Sequence, residues 1–182
     1  MEPFSIIDKY YTPGTPLYEI LVTHSRRVAE KAVEIARQHP ELNADETFIY
    51  EAAMLHDIGI YLTDAPDIHC LGNRPYICHG TLGSELLKNE GFPRHALVCE
   101  RHTGAGLSLD DIIRQNLPIP HRDMLPVSIE EQIICYADKF YSKSSPDSEK
   151  TPERIRRSLS KYGEASVKRF EQWDLKFSSK NY

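Results

Sequence analysis

The chain has 182 residues, enough for one domain with a substantial core, and carries a net charge of −5 with 40% hydrophobic and 27% charged residues. That acidic balance gives no overall attraction to nucleic acid or acidic membranes. No apolar run approaches the ~20 residues that span a bilayer, and the opening MEPFSIIDKYY lacks the basic and apolar regions of an export signal. The four cysteines (Cys70, Cys78, Cys99, Cys135) form no CxxC pair. In a chain read as cytoplasmic they are expected as reduced, mostly buried thiols.

Apolar residues at Leu17, Leu21, Val28 and Ile35, with Ala32, predict a first helix over 17–38. HPELNADET breaks it and offers Asp45 as the next N-cap, for a helix from about Thr47 to Ile58 that Gly59 loosens. YLTDAPDIHCLGNRPYIC has no clear period and is rich in turn residues, a length of loop often found at functional sites. HGTLGSELLKNEG predicts a third helix closed by Gly91, and Pro93 opens a fourth that ends near Gly104. SLDDIIRQN reads as a short helix and LPIPHRDMLP as a second irregular stretch. SIEEQIICYADKFYSK is a long helix with a capping box of Ser128 and Glu131. SSPDSEKTP reads as a mobile linker, and PERIRRSLSKYGEASVKRFEQW as one or two terminal helices. With no convincing strands, the expected fold is an all-α bundle of about six to eight helices. It is expected as a single domain over 1–182, with a core of about 17–145 and a helical extension of about 151–175.

His24 lies within the apolar stripe of the first helix, so its side chain is directed at the core. His56 follows Ala52 by four residues and faces inward too, with Asp57 about 100° further round. Asp138 stands in the mostly apolar IICYADKFY, where a carboxylate needs compensating charge. Imidazole and carboxylate ligands converging from facing helices suit iron, manganese, zinc or similar divalent ions.

The order His24, His56-Asp57, Asp138 resembles the HD superfamily of metal-dependent phosphohydrolases, whose signature is H…HD…D on a helical bundle, and HDIG at 56–59 matches a recognisable subgroup. Binuclear members insert two further histidines, and the HGxxG at His79 and the HTG at His102 match those insertions. The resemblance therefore implies six metal ligands: His24, His56, Asp57, His79, His102 and Asp138. Six are too many for one catalytic ion that keeps open positions. They suit two divalent transition-metal ions bridged by Asp57, iron first, with manganese, zinc, nickel or cobalt as alternatives. The chain is similar to superfamily hydrolases of dinucleoside polyphosphates. It departs from relatives in carrying Ile60 where many HDIG proteins have a lysine, and it lacks the GYP signature of cyclic dinucleotide phosphodiesterases.

The resulting expectation is hydrolysis of a phosphate ester or anhydride in a small nucleotide-like molecule, with Asp57 and Arg27 as catalytic residues. Arg27, one helical turn from His24, is expected to meet the anionic substrate. Arg101 and Lys139 adjoin ligands in sequence but are expected to point elsewhere. His69, Arg74, His121 and Arg122 are candidates to close over the substrate from the two irregular stretches, with His69 a candidate general acid. His39 and His95 are read as solvated. RIRRSLSK is read as a solvated basic helix face, with Tyr162, Phe170 and Trp173 at core-like spacings. No nucleic-acid or membrane partner is expected, and a homodimer is one arrangement open to the chain. Two rivals stand beside hydrolysis: a di-iron oxygenase of the same fold, and a non-catalytic nucleotide binder.

Overall fold

The computed structural model describes residues 1–145 and 148–178. Among them are nine α-helices: α1 (Pro3–Tyr10), α2 (Pro16–Gln38), α3 (Glu46–Leu55), α4 (His79–Asn89), α5 (Pro93–Arg101), α6 (Leu109–Arg114), α7 (Ile129–Asp138), α8 (Pro152–Leu159) and α9 (Glu164–Phe177). The all-α expectation holds. The count exceeds the expected six to eight because α1 precedes the first predicted helix; it is too short for its periodicity to register. Its Ile6 and Ile7 are buried against the core.

Local chemistry sets the helix ends. Thr15 caps α2 with Pro16 in its first turn, and Asp45 caps α3 by accepting from the Phe48 amide at 3.0 Å. Gly91, at φ +86°, ends α4: its amide donates to Lys88 and that of Phe92 to Leu87, satisfying carbonyls left over at the helix end. Ser128 caps α7 through the Glu131 amide, but the reciprocal half of the predicted capping box is absent. The Glu131 carboxylate instead accepts from the Val127 amide and from Arg101, which stitches α5 to α7. The reciprocal box occurs at Ser108 and Asp111, at the start of α6.

Two boundaries differ from expectation in ways that shape the site. The second helix stops at Leu55 rather than Ile58, and the chain tightens into three-residue turns, with Ile58 N bonded to Leu55 O and Ile60 N to Asp57 O. Gly59 lets this turn pack closely on α4, since a Cβ there would overlap the His79 carbonyl and the Gly83 amide. The long loop contains a two-residue antiparallel pair, β1 (Asp64–Ala65) with β2 (Cys70–Leu71). Strands that short leave no alternation to read. The described ends of the expected linker are tied down: the Lys150 amide bonds to Phe140 O, and Thr151 caps α8. Its Pro146 and Asp147 lie outside the described residues.

The main core is shared by α2, α3, α5, α7 and α9, through Leu21, Val28, Ile49, Leu55, Ile134 and Phe170 among others. Each such side chain taken fully out of water contributes about 1.5–3 kcal/mol. Phe170 and Trp173 are core residues, as their spacing suggested, and all four cysteines are buried free thiols. No helix among the described residues is long and apolar enough to cross a membrane.

Candidate metal centre

His24 comes from the middle of α2, and the other five residues come from element ends: His56 and Asp57 just past α3, His79 at the start of α4, His102 just past α5, and Asp138 at the end of α7. Helix ends leave backbone carbonyls free to accept from side chains. Three of the imidazoles use one: His56 Nδ1 with Ala53 O at 2.6 Å, His79 Nδ1 with Tyr76 O at 2.7 Å and His102 Nδ1 with Cys99 O at 2.8 Å. Each Nδ1 therefore carries the proton, and each Nε2 turns a lone pair inward.

The two oxygens of Asp57 divide these nitrogens between them. Oδ2 lies 3.2 Å from His24 Nε2 and 3.1 Å from His56 Nε2, while Oδ1 lies 3.5 Å from His79 Nε2 and 3.4 Å from His102 Nε2. Asp138 Oδ1 joins the first group, 3.0 Å from His24 Nε2 and 3.5 Å from His56 Nε2. Two sets result, His24, His56, Asp57 and Asp138, and Asp57, His79 and His102, each with its donor atoms within 4.8 Å of one another and every member buried.

The donor set fits divalent cations on its own chemistry. His79 Nε2 and His102 Nε2 face each other at 3.1 Å with both Nδ1 protons committed to the backbone, so two lone pairs meet. Neither Asp57 oxygen, nor His56 Nε2, has a partner in hydrogen-bond geometry, although nitrogens stand 2.6–3.5 Å from the carboxylate. Buried polar atoms left this way are destabilising, and a bound cation would satisfy them together.

The electrostatics of the two sets are opposite. Burial works against charge on His56, but Asp57 and Asp138 outweigh it and raise the imidazole to about 9, so a cation bound at His56 Nε2 would take the place of a second proton there. On the other side burial, with His102 beside it, pushes His79 down to about 3, and burial lowers His102 as well. Burial also favours the neutral carboxyls, yet His56 and Lys143 hold Asp57 well below the usual carboxylate range, and Lys139 and His24 do so for Asp138.

A cavity of about 450 Å³ opens over the His24 and Asp138 side, lined by Tyr76, Lys139, Tyr141, Lys143 and Tyr162 among others. Lys143 has no precedent in the sequence reading. It sits in the turn after α7, with Nζ 2.6 Å from Asp57 Oδ2. No periodicity marks that turn, so the one usable signal was a lysine five residues past Asp138. Lys139 does not point away as expected, because α7 ends at Asp138 and the lysine arm folds back, Nζ 2.6 Å from Asp138 Oδ2 and 3.0 Å from His102 O.

Other candidates fall elsewhere. Arg27 is exposed and outside the cavity lining, though its charge reaches Tyr141 in the wall. His69, Arg74 and His121 are exposed and do not line the cavity. Arg122 is held by Glu100 at 3.0 and 2.9 Å, and Arg101 by Glu131. His95 is not solvated: it is buried between Phe48 and Phe92 and bonds Glu51 at 3.1 Å. His39 is half-buried, 3.1 Å from Glu41. Both histidines were misread because their partners lie on neighbouring turns or helices.

Residues 21–142 match the HD domain family. A protein of Methanocaldococcus jannaschii is 34% identical over 125 residues, 67% of this chain and 66% of that protein. A tRNA (cytidine(56)-2'-O)-methyltransferase of Thermoplasma volcanium is 31% identical over 137 residues, 75% of this chain. The match spans 35% of that enzyme and 32% of its counterpart in Picrophilus torridus, so this chain corresponds to about a third of those relatives. The HD domain of the L. monocytogenes phosphodiesterase PgpH superposes with a TM-score of 0.47 and 17% identity, covering 89% of this chain and 95% of that one. The chain belongs to the HD domain family.

Proposed function

We propose that the chain hydrolyses a phosphate ester or anhydride of a small nucleotide-like molecule, with two divalent transition-metal ions held by His24, His56, Asp57, His79, His102 and Asp138. The observation that carries this reading is the division of Asp57, one oxygen toward each set of imidazole lone pairs, with His79 and His102 facing each other at 3.1 Å. A pair of such ions supplies activation of water near neutral pH and counter-charge for phosphoryl oxygens.

The chain's own side chains do the remaining work. The carbonyls of Ala53, Tyr76 and Cys99 fix three imidazole tautomers before any ligand arrives. The ring of Tyr76 stacks on His79 at 4.7 Å and holds its orientation. Lys143, in the cavity wall beside Asp57, meets a phosphoryl oxygen of the bound substrate as a charge-assisted donor. Ile60 is fully buried and supplies no charge, and the cation comes instead from the turn after α7.

The test is a phosphatase screen with protein purified without chelator, alongside metal analysis. The panel runs from nucleotide monoesters to dinucleoside polyphosphates and includes RNA-derived 3'- and cyclic phosphates, because two relatives act on tRNA. Phosphate release that continues without oxygen and disappears on metal removal is expected. Loss of turnover under anaerobic conditions would favour the oxygenase alternative, and tight nucleotide binding with no turnover of any panel member would favour a binder.

A further inference from the structure

In the basic run RIRRSLSK, Ile155 and Leu159 are buried, Arg154 and Arg157 are exposed, and Arg156 pairs with Glu171 and Asp174 of α9 at 3.3 Å and with Glu153 at 3.6 Å. Lys161, the last residue of the run, does something else. It lines the cavity over the metal ligands together with Lys139, Lys143 and Lys150, against the carboxylates of Asp67 and Asp138. A chain of net charge −5 thus gathers four ammonium groups round one opening.

Two of the four are already partnered, Lys139 by Asp138 and Lys143 by Asp57, each at 2.6 Å. The other two have no carboxylate within ion-pair distance among the described residues. Lys150 donates to the Tyr141 carbonyl at 3.2 Å, and Lys161 Nζ stands 4.9 Å from the Tyr162 ring. Lys150 is half-buried, and burial lowers its pKa; the charge of Asp138 works against that, and the like charges of Lys139 and Lys143 add to it. Clustered cations with spare hydrogen-bond donors, facing one cavity, are stabilised by an anion among them. The same wall carries Ile68, Leu159 and the rings of Tyr141 and Tyr162, a surface for the uncharged part of a ligand. Lys143, Lys150 and Lys161 all lie beyond residue 142, where the family match stops.

We propose that Lys150 and Lys161 form a second anion subsite, so that the molecule bound at the centre carries a phosphate or carboxylate group in addition to the phosphoryl group that is cleaved. The proposal rests on the phosphohydrolase reading for what occupies the first subsite. It assigns the C-terminal extension a role in substrate selection.

The test is equilibrium binding by calorimetry to the purified, metal-containing protein. One series of probes is alkanediol bisphosphates of increasing chain length, a second is the corresponding carboxyalkyl phosphates, and the reference is the matching alkyl monophosphates. At one chain length a doubly anionic probe should bind at least about tenfold tighter than its monophosphate, the scale of one charge-assisted contact. The series in which the preference appears distinguishes phosphate from carboxylate. In the Lys150→Met, Lys161→Met double variant the preference should fall to within about twofold of unity, and the Lys→Arg pair should keep it. A flat response in the wild type across both series, or a preference that survives the double Met variant, overturns the proposal. Hydrolysis is followed on the same preparations. A binding preference without hydrolysis of any phosphate compound supports the subsite and removes the phosphohydrolase reading, whereas hydrolysis without a preference removes the subsite alone.

Discussion

On the Oδ2 side of Asp57, His24 and His56 share a second carboxylate, Asp138, and come from the consecutive helices α2 and α3 and from the distant α7, which pack together in the main core. On the Oδ1 side, His79 and His102 come from the adjacent pair α4 and α5 and bring no carboxylate of their own. The first set is rigid because the core is rigid, and it is charge-rich. The second depends on how its short turns are held. Its support comes from the C-terminal extension: Arg169 of α9 donates to Ala105 O and Gly106 O at 2.8 Å each, and Ser166 accepts from the Ala105 amide at 3.2 Å. The difference teaches that one carboxylate joins a half-site with a second carboxylate of its own to one that has none and is braced from α9.

Asp57→Ala should have the largest effect, since it removes the one residue common to both sets. Hydrolysis should fall by at least about 10³-fold, as when a central charge-stabilising group is lost, with near-wild-type helical circular dichroism. A folded Asp57→Ala protein that retains wild-type turnover would falsify the bridging role. Single-ligand variants then separate the halves. His102→Ala should retain roughly one tightly held ion, because the set with two carboxylates is left whole. His24→Ala should leave the weaker set and be stripped first by a chelator. Elemental analysis during graded chelation reads both, and equal retention by the two variants breaks the asymmetry.

Arg169→Ala probes the support rather than the ligand. Outer partners of metal-site residues affect affinity by about 10- to 100-fold, and the loss should fall on the ion of the His79 and His102 set, the first to leave. Recovery with Arg169→Lys separates the tether from general loss of packing. Among cations, Lys143→Met should lower kcat/KM about 10- to 150-fold, the value of a charge-assisted contact of roughly 1.5–3 kcal/mol. Arg27→Ala, exposed and outside the cavity wall, should cost no more than about fivefold, as for a surface charge. The reverse order would return the substrate contact to α2.

Much of the first set was legible because helical periodicity places a side chain without knowledge of the rest of the fold. His24 in the stripe between Leu21 and Val28 is an example, and His56 and Asp57 after Ala52 and Ala53 another. His79 and His102 carried no such signal and were suggested by motif resemblance alone. Lys143, Lys139 and Arg169 reach the site from turns or from another helix, by flexible arms whose direction is set by tertiary contacts. The same reason hid His95: its aromatic neighbours belong to α3 and to the turn before α5. Position along a helix is readable from sequence, whereas the reach of a lysine or arginine across a gap is not.

The smallest expected effect concerns the scaffold of the second set. Glu100 lies on α5 beside the His102 turn, and its buried carboxylate receives Arg122 at 3.0 and 2.9 Å and Ser84 of α4 at 3.3 Å, with Lys88 at 3.6 Å. Burial favours the neutral acid, but Arg122 and Lys88 outweigh it and hold Glu100 below its ordinary value. A carboxylate depressed on folding contributes stability that is fully present above its unfolded value, about 4.3. That contribution is lost as pH falls through the lower folded value. Glu100→Gln should therefore melt below wild type at neutral pH, and the gap should narrow as the medium is acidified below about pH 4. Melting temperatures of both proteins across that range measure it. A gap independent of pH would mean that Glu100 holds α4 and α5 together by shape and neutral hydrogen bonds, leaving charge to Asp57 and Asp138 alone.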